Sequence, residues 1–305
     1  MQHTTPKAIL MAVLGYFLFS CSDAAAKWLA QTHEIEMILV RTAPFFMLTL
    51  LGIYLKWGGL KRTLRSKHKY IHLGRCAANI MISILVIHSF LYLPLMTVNS
   101  IIFTAPFISV LLAIPIFGER PAKHGWVAIA AGFGGILLIT RPGMGGFQPP
   151  MIYVLLAAFF VSSMVILARK LPADEPVLSF PFYPILSNIA CFSLYSAYKM
   201  LTIQDYVYPP WSLDTVFCCM VIGTALPLGV TLIATAYRNS KYYIVGPFHY
   251  LQIIWVTVFG YIIFGDFPDF WTFAGAGVII AGGLYMIIKE RPKKPKYEPL
   301  SPSPP

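Results

Sequence analysis

Two charged residues lie one helical turn apart inside a long apolar run near the N-terminus, in the segment FLFSCSDAAAKWLA. Asp23 and Lys27 are four residues apart, so on a helix they share one face. An ionisable side chain inside a bilayer costs about 2.5–3.5 kcal/mol at the helix centre, and such residues usually face a cavity or the bundle interior. The pair indicates either part of a watery binding site or a helix-internal ion pair, and Lys27 could also reach the membrane interface.

A second positive charge, Arg41, lies near the start of the next apolar segment. The first segment is expected to run outward and the second to return, so Arg41 and Lys27 should lie at similar depth. Together with Asp23 they would form a cluster with excess positive charge, which suits a carboxylate or phosphate group on a substrate. The alternative is a gate bridge, or interfacial anchoring near Glu34 and Glu36.

A third group of polar residues lies in an apolar segment near the C-terminus, where His249 and Gln252 are three residues apart and Tyr250 and Trp255 are close by. Because a histidine titrates near neutral pH, His249 is the candidate for coupling protons to transport. The alternative is a neutral histidine bonded to a backbone carbonyl. Pro247 removes a helix hydrogen bond beside this group. Three further candidates for substrate binding lie in other apolar segments: Asn79, Asn99 and Phe107.

The sequence has no motif for catalysis, for a cofactor or for a metal. It contains no nucleophile elbow, no Walker sequence and no pair of metal ligands. Its five cysteines lie in apolar segments without the spacing of a disulfide framework or a zinc site. We therefore expect no enzyme activity, no cofactor and no metal, and an intramembrane enzyme has no paired catalytic groups to support it.

These residues must be positioned by membrane helices. The 305 residues are 57% hydrophobic and only 11% charged, whereas a soluble domain averages roughly 25% charged residues. The net charge of +11 is therefore assigned to membrane topology and not to nucleic-acid binding. A window of about 19 residues predicts about ten spans. They fall near 8–30, 35–55, 71–92, 96–117, 124–140, 151–169, 178–199, 213–236, 242–264 and 270–288.

Lysine and arginine are concentrated in alternate connecting segments. The loop KWGGLKRTLRSKHKY follows the second span and KERPKKPK follows the tenth, whereas the opposite loops hold few basic residues. This bias predicts that both termini are cytoplasmic. The tail, residues 291–305, is basic and then proline-rich, which is typical of a disordered segment.

Two stretches of the sequence repeat one pattern. Both carry Ala/Gly-Pro-Phe early in one helix and Ile-Phe-Gly at the following turn, with an acid, Glu119 or Asp266, directly after the glycine. The stretches are five spans apart, and an odd number of spans inverts the second copy, as in many secondary transporters. The predicted fold is an all-α integral membrane protein of ten transmembrane helices. Its two inverted five-helix repeats would occupy residues 1–146 and 147–290.

The same stretches resemble known domains. LYLPLMTVNSIIFTAPFISVLLAIPIFGERPAKHGWVAIAAGFGGILLITRPG is similar to the first EamA domain of the drug/metabolite transporter superfamily, and TAYRNSKYYIVGPFHYLQIIWVTVFGYIIFGDFPD is similar to the second. The resemblance extends through about residue 290. It implies ten helices around a central cavity, a bacterial inner membrane and a small-metabolite cargo. The sequence departs from the family at His249, where related sequences often have an acid.

The resemblance and the residues together predict a secondary transporter that works by alternating access, with coupling to protons at His249. The expected cargo is a small polar or amphipathic metabolite: an amino acid, a nucleobase or nucleoside, a vitamin or an adenosylmethionine-like molecule. The expected partners are this substrate, membrane lipids and protons, with no nucleic acid, and the protein would be a monomer or a homodimer. The alternative is a flippase of a lipid-linked intermediate, which would need a lateral opening and lipid-facing polar residues.

Overall fold

The structure, a computed structural model, describes residues 5–57, 63, 66–118, 123–141, 146–172, 175–176, 178–203, 210–239 and 245–289. Glu119 and the tail 291–305, which entered the predictions above, lie outside these residues. The described residues form helices and turns and contain no strand. The helices are α1 (Thr5–Ala30), α2 (Ile35–Trp57), α3 (Lys69–Phe90), α4a (Leu95–Ile102), α4b (Ala105–Phe117), α5 (Lys123–Thr140), α6 (Pro150–Arg169), α7 (Ser179–Thr202), α8 (Leu213–Asn239), a 3-10 helix (Gly246–Leu251), α9 (Gln252–Phe264) and α10 (Phe270–Lys289).

Long helices are expected in a lipid bilayer, because a segment in hydrocarbon must form the hydrogen bonds of its backbone polar groups internally. Within the described residues, seven helical segments are long and apolar enough to cross a membrane, counting α4a and α4b as one. Gly125–Thr140 and Phe248–Phe264 are shorter apolar helices. The chain is therefore a multi-pass membrane protein, and the crossing of all ten predicted spans stays a prediction.

Two of the predicted spans are interrupted in the structure. The span expected at 96–117 is broken between α4a and α4b, and the described part of the span expected at 242–264 contains a 3-10 helix before α9. Both interruptions lie beside the repeated Ala/Gly-Pro-Phe motif. A proline has no N–H to bond the carbonyl four residues earlier, so Pro106 cannot supply a helical partner to Ile102. The repeated motif thus marks a change of helix in both stretches.

The repeated Ile-Phe-Gly motif also has one structure in both places. Gly118 ends α4b and Gly265 ends α9, and each has the left-handed backbone with φ of 68°. Glycine is the residue that adopts this conformation without steric cost, and it commonly ends helices for that reason. The sequence repeat therefore corresponds to a repeat of local structure.

The helices pack in pairs that draw one member from each predicted half. Helix α1 packs along α8, α3 along α6 and α5 along α10, while α2 contacts both α7 and α8. Close contact depends on small residues: a Cβ atom added at Gly229 would lie 2.9 Å from the Gly15 carbonyl oxygen, and one at Gly275 would lie 2.6 Å from that of Gly135. Such contacts are typical of membrane helices, where small residues let backbones approach.

The bundle has two ends. The end formed by the turns 31–34, 91–94 and 265–269 is called the distal end, and the end where α1 and α3 begin is called the proximal end. The bias of basic residues among the loops predicts that the distal end faces outward. The sites described below lie between the ends or at one of them.

Candidate functional site

Three polar side chains from three helices meet inside the bundle. The side-chain amide of Gln252, at the start of α9, donates to Asp23 Oδ2 (3.3 Å) and to Asn99 Oδ1 (3.1 Å). Asn99 on α4a donates in turn to the Leu95 carbonyl (3.1 Å). Gln252 and Asn99 are buried and Asp23 on α1 is half-buried. We call Asp23, Asn99 and Gln252 the polar centre; it holds an acid about 10 Å from the distal end of α1, at 1.5 Å per residue.

Four aromatic rings meet on the segments that carry the polar centre, where Phe103 is four residues from Asn99 and Tyr250 is two residues from Gln252. The His249 ring stacks on Tyr16 with centroids 4.9 Å apart and an interplanar angle of 22°, and it meets Phe103 edge-on at 5.0 Å. Tyr250 lies 5.8 Å from Phe103 and 5.9 Å from His249. We call Tyr16, Phe103, His249 and Tyr250 the aromatic cluster. Its rings come from α1, the α4 break and the 3-10 helix, so both interruptions contribute to it.

The surroundings of His249 bear on the alternatives that the sequence left open. Its ring contacts three other rings, those of Tyr16, Phe103 and Tyr250. Among the described residues, no backbone carbonyl accepts a hydrogen bond from it. The contacts of His249 in this part of the chain are therefore with π faces and ring edges, and they do not support the carbonyl-bonded interpretation.

Trp255 carries an unused donor. Its ring meets Phe17 edge-on at 5.0 Å, and its indole Nε1 is buried with no hydrogen-bond partner among the described residues. A buried donor without a partner is costly, and it marks a position where a ligand oxygen would be stabilised. Trp255 lies one turn beyond Gln252 on α9, and Phe17 lies on α1 like Asp23.

Lys27 does not pair with Asp23, although the two are one turn apart. Its ammonium group donates to Asp266 in the turn after α9, and it lies 4.5 Å from the centroid of the Phe264 ring. Lys27 is only 3% exposed, so this partner compensates its charge inside the protein. The expected helix-internal pair and the expected positive cluster are therefore both wrong for Lys27.

Arg41 also lies apart from the polar centre. Its guanidinium lies 3.3 Å from the His33 ring at Nε2 and 4.9 Å from the centroid of the Trp211 ring. Partial burial, with the charge of Arg41, lowers the pKa of His33 below its ordinary value. Nearby, Lys199 at the end of α7 pairs with Glu34 (2.5 Å) and with Glu36. The gate-bridge alternative for this region fits these contacts better than a substrate site does.

Two other predicted residues serve helix packing. Asn79 donates to the Pro184 carbonyl of α7 (3.2 Å). Phe107 fills the space beside Gly132, where an added Cβ would overlap its ring, and it approaches Gly282 of α10. Neither contacts the polar centre through a hydrogen bond in the described structure, so the structure does not bring Asn79 and Phe107 together with Asp23.

The sequence analysis missed a buried charged cluster at the proximal end. His72 Nε2 lies 3.1 Å from Glu175 Oε1, Arg75 Nη1 lies 3.3 Å from His72 Nδ1, and Arg75 Nη2 donates to the Phe180 carbonyl (3.1 Å). That carbonyl lacks a helical donor because Pro184 follows it by four residues. A signal was available, because Arg75 is a charged residue within the predicted span 71–92, and a charge within a span needs a partner.

A second missed pair lies at the distal end. Arg141, the residue after α5, donates through Nη2 to Asp269 Oδ2 (2.5 Å). Burial alone would raise the pKa of Asp269, but the hydrogen bonds from Thr272 and the charge of Arg141 outweigh it, so the pKa lies below the ordinary value. Asp269 precedes α10, where an acid commonly caps a helix.

Asp23 is the one ionisable residue of the polar centre. Lys27 and Arg41 each have partners elsewhere, and Asp23 is bonded only to neutral amides in the described structure. An acid between amides and beside aromatic rings favours a positively charged group with a flat ring system, because π faces attract cations and stack with aromatic rings. The predicted cluster of Asp23, Lys27 and Arg41 is not formed, since Lys27 contacts Asp266 and Arg41 contacts His33.

Helices paired across the two predicted halves, and broken helices beside a half-buried acid, together indicate a membrane transporter. The family comparison agrees. The model of the EamA-like transporter family matches residues 6–141 and again 148–288, so the chain belongs to that family. It is a multi-pass membrane protein of a family that transports small molecules.

Its relatives carry different cargoes. The chain is 26% identical over 287 residues to an S-adenosylmethionine uptake transporter of Rickettsia bellii, covering 91% of this chain and 94% of that one. It is 23% identical over 272 residues to a riboflavin transporter of Brucella anthropi, covering 88% and 94%. One solved crystal structure matches with a TM-score of 0.65 at 14% identity, covering 93% of this chain and 97% of that chain. That likeness concerns the fold.

Proposed function

We propose that this chain is a secondary transporter of a small organic cation or zwitterion that carries an aromatic ring, with adenosylmethionine as the leading cargo. The observation that carries this proposal is the polar centre: Asp23 is held by the Gln252 amide beside the aromatic cluster, while Lys27 is bonded to Asp266. A sulfonium group would lie near the Asp23 carboxylate, and the flat purine would stack on the rings of the cluster.

The cargo named for the Rickettsia relative supports this choice, because adenosylmethionine combines a permanent positive charge with a purine. Riboflavin, the cargo named for the Brucella relative, has a flat ring system but no positive charge. The two molecules therefore separate the contribution of Asp23 from that of the aromatic cluster. A preference for the cation would assign the selectivity to the acid.

Alternating access would move the two halves, residues 1–146 and 147–290, about the polar centre. The packing supports this. If the halves are related, each helix of the first half corresponds to the helix five places later in the second half, so the pair α1·α8 corresponds to α6·α3 and the pair α2·α8 to α7·α3. All four of these pairs are packed against each other. Ion pairs at the distal end would open in the outward-facing state, and the His72–Arg75–Glu175 cluster would open in the inward-facing state.

His249 remains the candidate for proton coupling. Its ring lies one turn from Gln252 on the chain, and Gln252 contacts Asp23. A proton on His249 would compete with a cationic cargo for the field of Asp23, so binding of the cargo would favour release of the proton. Coupling requires that the cargo bias two conformations differently.

Proteoliposome uptake tests the proposal. We expect labelled adenosylmethionine to accumulate, and unlabelled adenosylmethionine to compete better than adenosylhomocysteine, which lacks the sulfonium charge, and better than riboflavin. Equal competition by all three would contradict a cation site. Reporter fusions test the membrane arrangement separately: a fusion after residue 146 should report the outside of a bacterial inner membrane and one after residue 290 the cytoplasm.

A further inference from the structure

Lys27 and Asp266 form an ion pair between the two predicted halves. Lys27 lies near the end of α1, and Asp266 lies in the turn that joins α9 to α10. The Phe264 ring is 4.5 Å from the Lys27 ammonium, and the Trp28 ring, with its centroid 6.4 Å from that of Phe264, extends the same contact. The structure describes 24–57 and 248–289 without a gap. Separation of the halves at the distal end must therefore break this pair.

The two partners differ in exposure. The side chain of Lys27 is 4% exposed, whereas that of Asp266 is 35% exposed. If the turn moved away from α1, water would solvate the Asp266 carboxylate, and the Lys27 ammonium would lose the partner that compensates it. Removal of one partner from a buried ion pair is strongly destabilising. Lys27 therefore favours a second acid within its reach when the distal end opens.

Asp23 lies one helical turn from Lys27, on the side of the polar centre. Residues four apart on a helix have Cβ atoms about 5–6 Å apart, and an acid four residues before a lysine is the more stabilising order of such pairs. Helical side chains lean toward the N-terminus of their helix, so Lys27 leans over the turn that holds Asp23. Rotation of the Lys27 side chain, without movement of α1, is enough to bring the two charges together.

Asp23 is also an acid without a cationic partner. The neutral Gln252 amide donates to it at 3.3 Å, and no ion pair joins it to Lys27 in the described structure. The other described acids at the distal end are paired or exposed: Glu34 and Glu36 with Lys199, Asp269 with Arg141, and Asp214 at the surface. Within the described chain, Asp23 is thus the acid suited to replace Asp266.

We propose that Lys27 exchanges acids during transport: it binds Asp266 when the distal end is closed, and Asp23 when that end is open and the site is empty. A cargo that enters from the distal side must displace the Lys27 ammonium from Asp23, and the displaced ammonium returns to Asp266. Binding of the cargo then favours closure of the distal end, which is the unequal effect on two conformations that transport requires. This inference rests on the cation site proposed above.

The exchange makes Lys27 a specificity-determining residue. A cationic cargo replaces the Lys27 ammonium charge for charge, so Asp23 keeps a counter-ion at every stage. A molecule with the same ring system but without the charge would leave Lys27 on Asp23 and would not promote closure. The apparent affinity for the cation is also lowered, in proportion to the fraction of protein in which Asp23 is free of Lys27.

Asp266→Asn tests the exchange, because it removes one of the two acids that compete for Lys27. Purified full-length protein in detergent would be titrated by calorimetry with adenosylmethionine and with adenosylhomocysteine. We expect Asp266→Asn to weaken adenosylmethionine binding by about tenfold or more, and adenosylhomocysteine binding by less than about threefold. Adding Lys27→Met should restore the wild-type affinity for adenosylmethionine, because it removes the competitor.

Asp269→Asn is the matched control. It breaks the pair with Arg141 in the same turn and leaves Lys27 bonded to Asp266. Its affinity for adenosylmethionine should therefore differ from the wild type by less than about twofold. A loss as large as that of Asp266→Asn would assign the effect to the turn and would overturn the exchange.

A measurement without cargo separates this inference from the proposed function. In Asp266→Asn the Lys27 ammonium should bind Asp23. A further Asp23→Asn should then lower the melting temperature by about 2 °C more than it does in the wild type. This extra loss should disappear when Lys27→Met is present. If it appears while the two ligands bind equally well, the exchange of acids stands and the cation cargo is rejected.

Two results would overturn the exchange. The first is a preference for adenosylmethionine in the wild type with neither the extra loss of stability nor the rescue by Lys27→Met, which would leave the proposed cargo standing. The second is failure of Asp266→Asn to fold, with folding restored by Lys27→Met, since Lys27 would then have found no second acid.

Discussion

Replacing Asp23 with asparagine removes one charge and almost no volume. The side-chain carbonyl oxygen of the new amide would still accept from the Gln252 amide, whose 3.3 Å bond to Asp23 is long for a charged acceptor. The packing of α1 against α8 would be unchanged, since it depends on Gly15 and Gly229 and their neighbours. We therefore expect Asp23→Asn to fold like the wild type and to lose most of its preference for a cationic cargo.

The magnitude follows from the interaction that is lost. A hydrogen bond or close contact to a charged group contributes about 1.5–3 kcal/mol net, and about 1.4 kcal/mol corresponds to tenfold in affinity. Removing the Asp23 charge should therefore weaken adenosylmethionine binding about 10- to 150-fold. Adenosylhomocysteine, which lacks the sulfonium charge, should lose much less, because its purine would still stack on the aromatic cluster.

The assay is a comparison of the two ligands on two proteins. Dissociation constants for adenosylmethionine and adenosylhomocysteine would be measured by calorimetry in detergent, for the wild type and for Asp23→Asn. Asp214→Asn is the matched control, because Asp214 is an exposed acid in the first turn of α8. Proteoliposome uptake would then follow the same order as binding.

The outcome that refutes the reasoning is a ratio of the two dissociation constants that stays the same in Asp23→Asn. The carboxylate would then not contact the charge of the cargo. A fall in thermal stability together with activity would instead make Asp23 a structural residue, since its role would be to hold Gln252 and Asn99. The Asp214→Asn control shows whether replacing an acid far from the polar centre also weakens binding.

Three further perturbations test separate parts of the structure. His249→Gln should keep cargo binding and lose the response of uptake to a pH gradient, so an unchanged pH dependence would make His249 a packing residue. Asp269 has a lowered pKa, so its stabilising contribution is complete above its unfolded pKa of about 3.9 and is lost as the pH falls through the folded value. The difference in melting temperature between wild type and Asp269→Asn should thus shrink in acid, and a constant difference between about pH 7 and about pH 3 would contradict this. Gly283→Ala should destabilise the protein by about 1–3 kcal/mol, because its Cβ would overlap the Tyr250 ring, whereas Gly277→Ala, with open space, should be neutral or stabilising by up to about 1 kcal/mol.

Much of the local structure could be predicted from the sequence. The described parts of the ten apolar segments are helical, because a hydrocarbon solvent requires each segment to bond its own backbone. The Ile-Phe-Gly motifs both form left-handed helix ends, since glycine is the residue suited to that conformation. The division of α4 into two helices and the 3-10 turn before α9 were seen only in the structure, although each lies beside a Pro-Phe motif.

The membership of the polar centre was predictable in part. Asp23, Asn99 and Gln252 were each identified as polar residues within apolar spans, where such residues are costly. Their meeting depends on α1, α4a and α9 packing against one another. Asn79 and Phe107 were predicted alongside them and lie at packing contacts instead.

The sequence by itself determined which residues must find partners, and the tertiary structure decided which partners they found. Lys27 lies four residues from Asp23, yet it pairs with Asp266, 239 residues further along the chain. Local spacing places two side chains on one face of a helix, but it does not limit what a neighbouring helix brings to that face. Since α9 ends beside the end of α1, its turn supplies the acid for Lys27, and the hydrogen-bond partners of Asp23 are neutral amides.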